Sequence, residues 1–313
     1  MLEQLHNFLI STPVSDYRII TILIVCGTVV GFINTIAGMA TAISYGLFMM
    51  MGLPINVANG TTRVGVLLQF LTTSVIFKKK GYLDMKIGWK VGIPVGCGAI
   101  IGALLAAVLQ AKIIEIVMAI LLPIMSILLF IDKRKIVATQ ASKKPENKTT
   151  TGIEQAENNH LSQKTTAIVE QVENNRLSQK TTSIVEQRIK SPNNSIWITA
   201  IFTAIGIYGG FTHSGVGLLI IFGSFFMLGL DMIHSNAIKQ FAVTIYTPLA
   251  LIVFIIYGQV NWAVALIYAI GNIIGGVIGS YASIKGGERF IKIFVTIIII
   301  TMSTVLVIKQ FNR

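Results

Sequence analysis

The stretch from Gly31 to Asp84 occurs twice in this chain, and that constrains the fold more than any other feature. The second copy runs from Tyr208 to Asn261 with no gap, at an offset of 215 − 38 = 177. Gly38 falls on Gly215, Gly46 on Gly223, Met50 on Met227, Gly52-Leu53 on Gly229-Leu230, and Asn59 on Asn236. The register continues through Gly81 and Gly258, Gly98 and Gly275, and Gly102 and Gly279. Identities are few, but most are Gly and Asn, the residues that set backbone shape. An internal repeat of this kind predicts two related halves.

Both copies are apolar, and composition extends that to the whole chain. Hydrophobic residues make up 53% and charged residues 12%, half the charge of an ordinary soluble domain, which is about 25%. Mean hydropathy is +0.74. Several runs approach the roughly 20 residues a helix needs to cross a bilayer. The expected class is an all-α polytopic membrane protein with 8–10 transmembrane segments, some of them short and broken. The net charge of +12 then reads as Lys and Arg kept in cytoplasmic loops, not as a nucleic-acid signal. Cys26 and Cys97 lie in apolar runs and read as small core residues. Residues 1 to 17 are short and polar without the basic patch of a signal peptide, so the first apolar segment is expected to stay in the mature protein.

Three regions follow. An N-terminal membrane repeat spans 1–131, a polar linker 132–195, and a C-terminal membrane repeat 196–313. In the first, apolar segments run from Tyr17 to Ala37 and, half as long, from Thr41 to Met51. Leu53-Pro54-Ile55-Asn56 breaks the chain, and helices are expected from Thr61 to Phe77, Ile87 to Leu109 and Ile113 to Ile131. In the last, Ile196 to Phe211 and Val216 to Leu230 form the short pair. Lys239 to Tyr257 follows, broken by Pro248, then Trp262 to Ile284 and Phe290 to Ile308. Gly98-x-x-x-Gly102 and Gly275-x-x-x-Gly279 suit close helix packing. Trp89, Trp197 and Trp262 fall at segment ends, where indole rings favour the interface. The linker carries 11 Lys and Arg against 7 Asp and Glu. Within it Leu161-Ser162-Gln163-Lys164-Thr165-Thr166 returns as Leu177-Ser178-Gln179-Lys180-Thr181-Thr182, a period of 177 − 161 = 16. That period matches neither helical turns nor heptads, so no apolar stripe forms.

Lysines 78, 79, 80, 86 and 90, the Lys133-Arg134-Lys135 group and the Lys285, Arg289, Lys292 group can all be cytoplasmic if each half crosses five times and the halves are inverted. A parallel four-plus-four arrangement divides the charges nearly as well. Glycine-broken segments at matching positions of two halves point to a transporter's binding site.

On these residues the chain resembles the sulfite exporter TauE/SafE family of membrane transporters. The resemblance rests on Gly31-Phe32-Ile33-Asn34-Thr35-Ile36-Ala37-Gly38, Gly52-Leu53-Pro54, Ala58-Asn59-Gly60-Thr61-Thr62-Arg63 and Lys78-Lys79-Lys80-Gly81-Tyr82-Leu83-Asp84. In the second half it rests on Tyr208-Gly209-Gly210-Phe211, Gly215-Val216-Gly217, Lys239 and Gly258-Gln259-Val260-Asn261-Trp262. It implies a cell-membrane carrier of sulfite, sulfonates or other small organic anions.

An anion in hydrocarbon needs charge or N–H groups to replace water. The charges near membrane depth are Arg63, Lys239, Asp231, Glu115 and Lys112. Arg63 follows Asn59, Thr61 and Thr62 at an expected helix start, and Lys239 follows Asn236 at the matching start. Helix N-termini suit oxyanions, so these six residues form the candidate substrate cradle. The competing structural reading is that both cations snorkel to headgroups and that the Thr and Asn residues only cap helices. His213, in the glycine-rich break, is a candidate proton carrier, with a buried structural histidine as the alternative. Asp231 and His234 share a helical turn with no third ligand evident, so no metal is expected, and no cofactor. Expected partners are a small anion, the lipid bilayer and a coupling proton. A membrane scaffold acting through the linker and an intramembrane enzyme are the alternatives, but no Ser-His-Asp order, aspartate pair or phosphate loop is present.

Overall fold

The computed structural model describes residues 2–109 and 192–311, with side chains over 7–109 and 195–297. The expected span Ile113 to Ile131 and most of the linker, including its 16-residue repeat, lie outside the described residues. The described residues are helical: α1 (Leu2–Ser11), α2 (Tyr17–Ile36), α3 (Thr41–Met50), α4 (Ile55–Lys79), α5 (Met85–Val108), α6 (Pro192–Thr212), α7 (Val216–Gly223), α8 (Met232–Ile256) and α9 (Trp262–Phe311). One π-helical turn, Ser224–Leu228, extends α7.

Six of these helices are long and apolar enough to cross a membrane: α2, α4, α5, α6, α8 and α9. The α3 helix has ten residues, roughly 15 Å or half a span at 1.5 Å per residue. Trp89, Trp197 and Trp262 are all exposed near helix starts, as interfacial anchors should be. Cys97 is exposed on α5 and Cys26 half-buried on α2, so Cys97 is not the core residue expected. The polar N-terminus forms α1, which the sequence reading missed; Leu9 is its buried anchor, packing in the cluster of Leu23, Tyr45 and Phe48.

Two helices start earlier than expected. The α4 helix begins at Ile55 behind Pro54, six residues before Thr61. The α8 helix begins at Met232, where the Asp231 carboxylate accepts the His234 N–H, seven residues before Lys239. Asn59-Gly60-Thr61 looks like a start signal, yet Gly60 is glycine for another reason. A Cβ there would strike the carbonyl of Gln259. Pro248 lies inside α8 and does not break it. A proline withdraws one N–H, but its helix packs on α4 and α5 on both sides of it, which holds the run together. The α9 helix departs from helical geometry at Gly287 (φ 67°, ψ −167°), and so divides close to the expected Ile284 and Phe290 boundaries.

Residue register gives each helix its direction. Along α2 and α9, Gly271 meets Ile24, Gly275 meets Thr28 and Gly279 meets Phe32. The numbers rise together, so the two are parallel. Gly65 meets Tyr268 and Gly276 meets Gln69, so α4 also runs with α9. Gly98 meets Thr203 and Gly102 meets Ile207, which makes α5 and α6 parallel. Gly88, Gly92 and Gly96 meet Phe241, Ile245 and Leu249, which makes α5 and α8 parallel. The α4 and α8 helices run opposite ways: Gly60 touches Phe254, while Thr73 donates to Gln240 Oε1. Between α2 and α9 and between α5 and α6 these glycines bring backbone against backbone, which stands in for the missing hydrophobic drive between helices in lipid.

Candidate functional site

Two helices end in the buried interior of the protein. The α2 helix stops at Ile36 and the chain turns at Gly38 (φ 73°); α6 stops at Thr212 and turns through His213 (φ 57°) and Gly215 (φ 77°). The two breaks touch: a Cβ on Gly38 would lie 2.6 Å from Gly217 Cα. A helix end leaves carbonyls without N–H partners, and water cannot satisfy them here. Donors arrive from the other half of the chain.

At the α6 end, Arg63 Nη2 donates to Gly209 O at 3.2 Å and Gly210 O at 2.5 Å. Asn59 Nδ2 donates to Phe211 O at 2.7 Å, and the Tyr45 hydroxyl donates to Thr212 O. At the α2 end, Lys239 Nζ donates to Asn34 O at 2.9 Å and Thr35 O at 2.7 Å. Gln240 Nε2 adds a 2.8 Å bond to Thr35 O. Both cations thus sit at the negative ends of helix dipoles. Each also lies over an aromatic ring, Arg63 over Phe254 at 4.9 Å and Lys239 over Phe70 at 5.6 Å.

Arg63 and Lys239 are each 0% exposed, and among the described residues no carboxylate pairs with either. Burying an unpaired cation costs several kcal/mol, more than neutral carbonyls and ring faces are expected to recover. Several buried polar atoms near the two ends have no hydrogen-bond partner: Arg63 Nη1 and Thr212 Oγ1 at one, Asn236 Nδ2 at the other. What the arrangement can do is hold a small anion beside a positive charge and donors that the fold leaves unused.

A sequence profile of the family described as Sulfite exporter TauE/SafE matches residues 23–306. The chain belongs to the TauE/SafE family. No curated protein and no solved structure matches it. TauE/SafE membership makes it a membrane transporter of sulfite or related anions, a multi-pass membrane protein and not an enzyme.

The six expected cradle residues of this TauE/SafE chain are all buried, but not at helix starts. Asn59 to Arg63 lie beyond the first turn of α4, and Asn236 and Lys239 beyond that of α8. The N-terminal cradle is therefore corrected: both cations face helix C-terminal carbonyls, because Pro54 and Asp231 set the starts upstream. Snorkelling is corrected too, since neither side chain reaches the surface. Thr61 Oγ1 accepts the Asn261 N–H at 2.9 Å, and Thr62 Oγ1 donates to Ala58 O at 2.6 Å. Neither caps a helix.

The structure groups Asn59 with Arg63, and Asn236 with Lys239, in two clusters. The Phe70 ring under Lys239 lies seven residues along α4 from Arg63, roughly 10 Å at 1.5 Å per residue. Tyr246, whose ring lies near Gly209 in the Arg63 cluster, is seven residues along α8 from Lys239. His213 is 4% exposed, and its Nδ1 lies 2.5 Å from the Tyr246 hydroxyl. His234 Nδ1 lies 2.7 Å from the Asp231 carboxylate, a local pair at the start of α8. Tyr45, Gln69, Thr212, Gln240 and Tyr246 went unnoticed in the sequence. Polar groups inside apolar runs, such as Gln69 and Gln240, were the signal that could have found them.

Proposed function

We propose that this TauE/SafE protein is a secondary carrier or facilitator in the cytoplasmic membrane, that its substrate is sulfite, a sulfonate or a similar small organic anion, and that Arg63 and Lys239 bind it. Asn59 and Asn236 help, each hydrogen-bonded into its cation's cluster. Thr61 and Thr62 shape the helix beside them. The observation that carries the reading is the pair of fully buried cations with no carboxylate partner among the described residues. A bound oxyanion supplies the missing countercharge and accepts from Arg63 Nη1. Purified protein in liposomes, challenged with sulfite, sulfonates and carboxylates, tests it. Saturable flux of at least one small oxyanion is expected. No flux above empty liposomes for any member of the panel would defeat it.

In this proposal the membrane halves, 1–131 and 196–313, are inverted repeats joined by the 132–195 linker. Shifting Ile55–Lys79 by 177 gives 232–256, the bounds of α8. Three pairs of equivalent glycines share positive φ: Gly38 with Gly215, Gly52 with Gly229, Gly81 with Gly258. Equivalent helices, α2 with α6, α4 with α8 and α5 with α9, run in opposite directions, which supports inversion. Single cysteines at Lys79 and Gln259, with Cys26 and Cys97 replaced, should react with an impermeant reagent from opposite sides. Labelling from the same side would favour the parallel arrangement.

His213 is proposed to carry the coupling proton. Its left-handed backbone is uncommon outside glycine and marks a position held for a purpose. The Tyr246 hydroxyl gives it a partner for proton exchange.

A further inference from the structure

One groove on the outer face is unrelated to the anion clusters. It has a volume of about 450 Å³ and lies between the C-terminal half of α4 and the α9 residue Tyr281. Leu71, Thr72, Val75 and Ile76 form its inner length, and Lys79 and Lys80 line its end. Leu71, Val75 and Tyr281 are 48%, 45% and 53% exposed, so the groove opens outward, where a membrane protein meets acyl chains.

Its polarity runs along the helix axis. Lys79 and Lys80 close α4, just before the polar turn to α5, and so stand at headgroup depth. Leu71 lies eight residues earlier, roughly 12 Å towards the bilayer centre at 1.5 Å per residue. Neither lysine makes an ion pair among the described residues. Lys285 follows Tyr281 by four residues on one face of α9 and adds a third charge above the groove. A basic end over an apolar trough between two spanning helices complements one kind of molecule, an amphiphile with an anionic head.

We infer that this groove is a binding site for an anionic phospholipid, with its phosphate on Lys79 and Lys80 and an acyl chain along Leu71, Val75 and Ile76. The site is separate from the transport clusters, and its test does not depend on them. The bland alternative is that the lysines only add to the diffuse charge of the cytoplasmic loop. In that case Lys86 and Lys90, outside the groove on the same loop and the start of α5, would serve equally.

The test is native mass spectrometry of the full chain titrated with phosphatidylglycerol or phosphatidylcholine. Wild-type protein is expected to retain phosphatidylglycerol about tenfold better than phosphatidylcholine. K79Q/K80Q should lose most of that preference, and K86Q/K90Q should keep it. Val75→Trp, which fills the trough while sparing every charge, should lower retention of both lipids. Since it leaves the charge pattern that orients the protein intact, it remains informative if the lysine variant inserts poorly. Equal retention of the two lipids by wild type, equal loss in the two lysine pairs, or unchanged retention in Val75→Trp would overturn the inference.

Discussion

The two broken helix ends occupy matching places in the chain, yet they are closed by different chemistry. The α6 end is held by Arg63, Asn59 and Tyr45, with His213 and Tyr246 beside it. The α2 end is held by Lys239 and amide side chains: Gln240 on Thr35 O, Gln69 on Gly31 O and Thr35 Oγ1. Under the 177 offset Arg63 aligns with Gln240, and Lys239 with Thr62, so the cations are one position out of register. Backbone geometry is thus shared while the side chains have diverged. Among the described residues, one end has titratable groups next to its cation, and the other is neutral apart from Lys239. If His213 carries a proton as proposed, the α6 end couples anion and proton and the α2 end anchors.

The largest effect expected at the two ends is on stability. Arg63→Met leaves Gly210 O without its donor, while Gly209 O still accepts the His213 N–H. Lys239→Met leaves Asn34 O without its donor, while Gln240 still serves Thr35 O. Each buried group left unpaired costs about 1–3 kcal/mol. Both variants should therefore lose about that amount, read from thermal unfolding in a fixed detergent. A loss confined to one variant would mean that only that end is held by its cation.

Next comes the response of flux to a proton gradient. His213→Asn keeps a residue that tolerates a left-handed backbone while removing the imidazole proposed to carry the proton. Membrane levels should stay normal, and the stimulation of flux by an imposed pH gradient should fall. A stimulation identical to wild type would make His213 structural and erase the proposed difference between the ends. The smallest effect is expected from the linker. Deleting Thr149 to Gln187 should change flux by no more than about twofold, roughly 0.4 kcal/mol, since both ends are closed by helices outside it. Loss of flux in a deletion that reaches the membrane normally would make the linker a gate or regulator.

Much of the architecture was legible because glycine, proline and apolar run length act locally. The expected Ile87 to Leu109 helix lies within two residues of α5, and both half-length segments fall where α3 and α7 stand. The helix starts misled for a local reason as well. Asn59-Gly60-Thr61-Thr62 has the composition of a cap, but Gly60 answers to the Gln259 backbone across the molecule, which no neighbouring residue reveals. The same limit applied to the site. Arg63 and Lys239 were visible as buried-depth cations, but their partners are carbonyls 146 or more positions away in sequence. Backbone carbonyls carry no residue identity to read, so pairing a cation with a distant helix end required the fold.

The central claim is that the two buried cations bind the transported anion. The direct measurement is flux against sulfite concentration in liposomes for Arg63→Gln, Arg63→Lys and Lys239→Gln, normalised to protein in the membrane. A lost charge-assisted hydrogen bond contributes about 1.5–3 kcal/mol, so each Gln variant should raise the half-saturation value about tenfold or more. Arg63→Lys should still raise it, because lysine offers a point charge where arginine presents a fork of N–H groups. Unchanged half-saturation in both Gln variants would contradict the claim and leave Arg63 and Lys239 as caps on two broken helices.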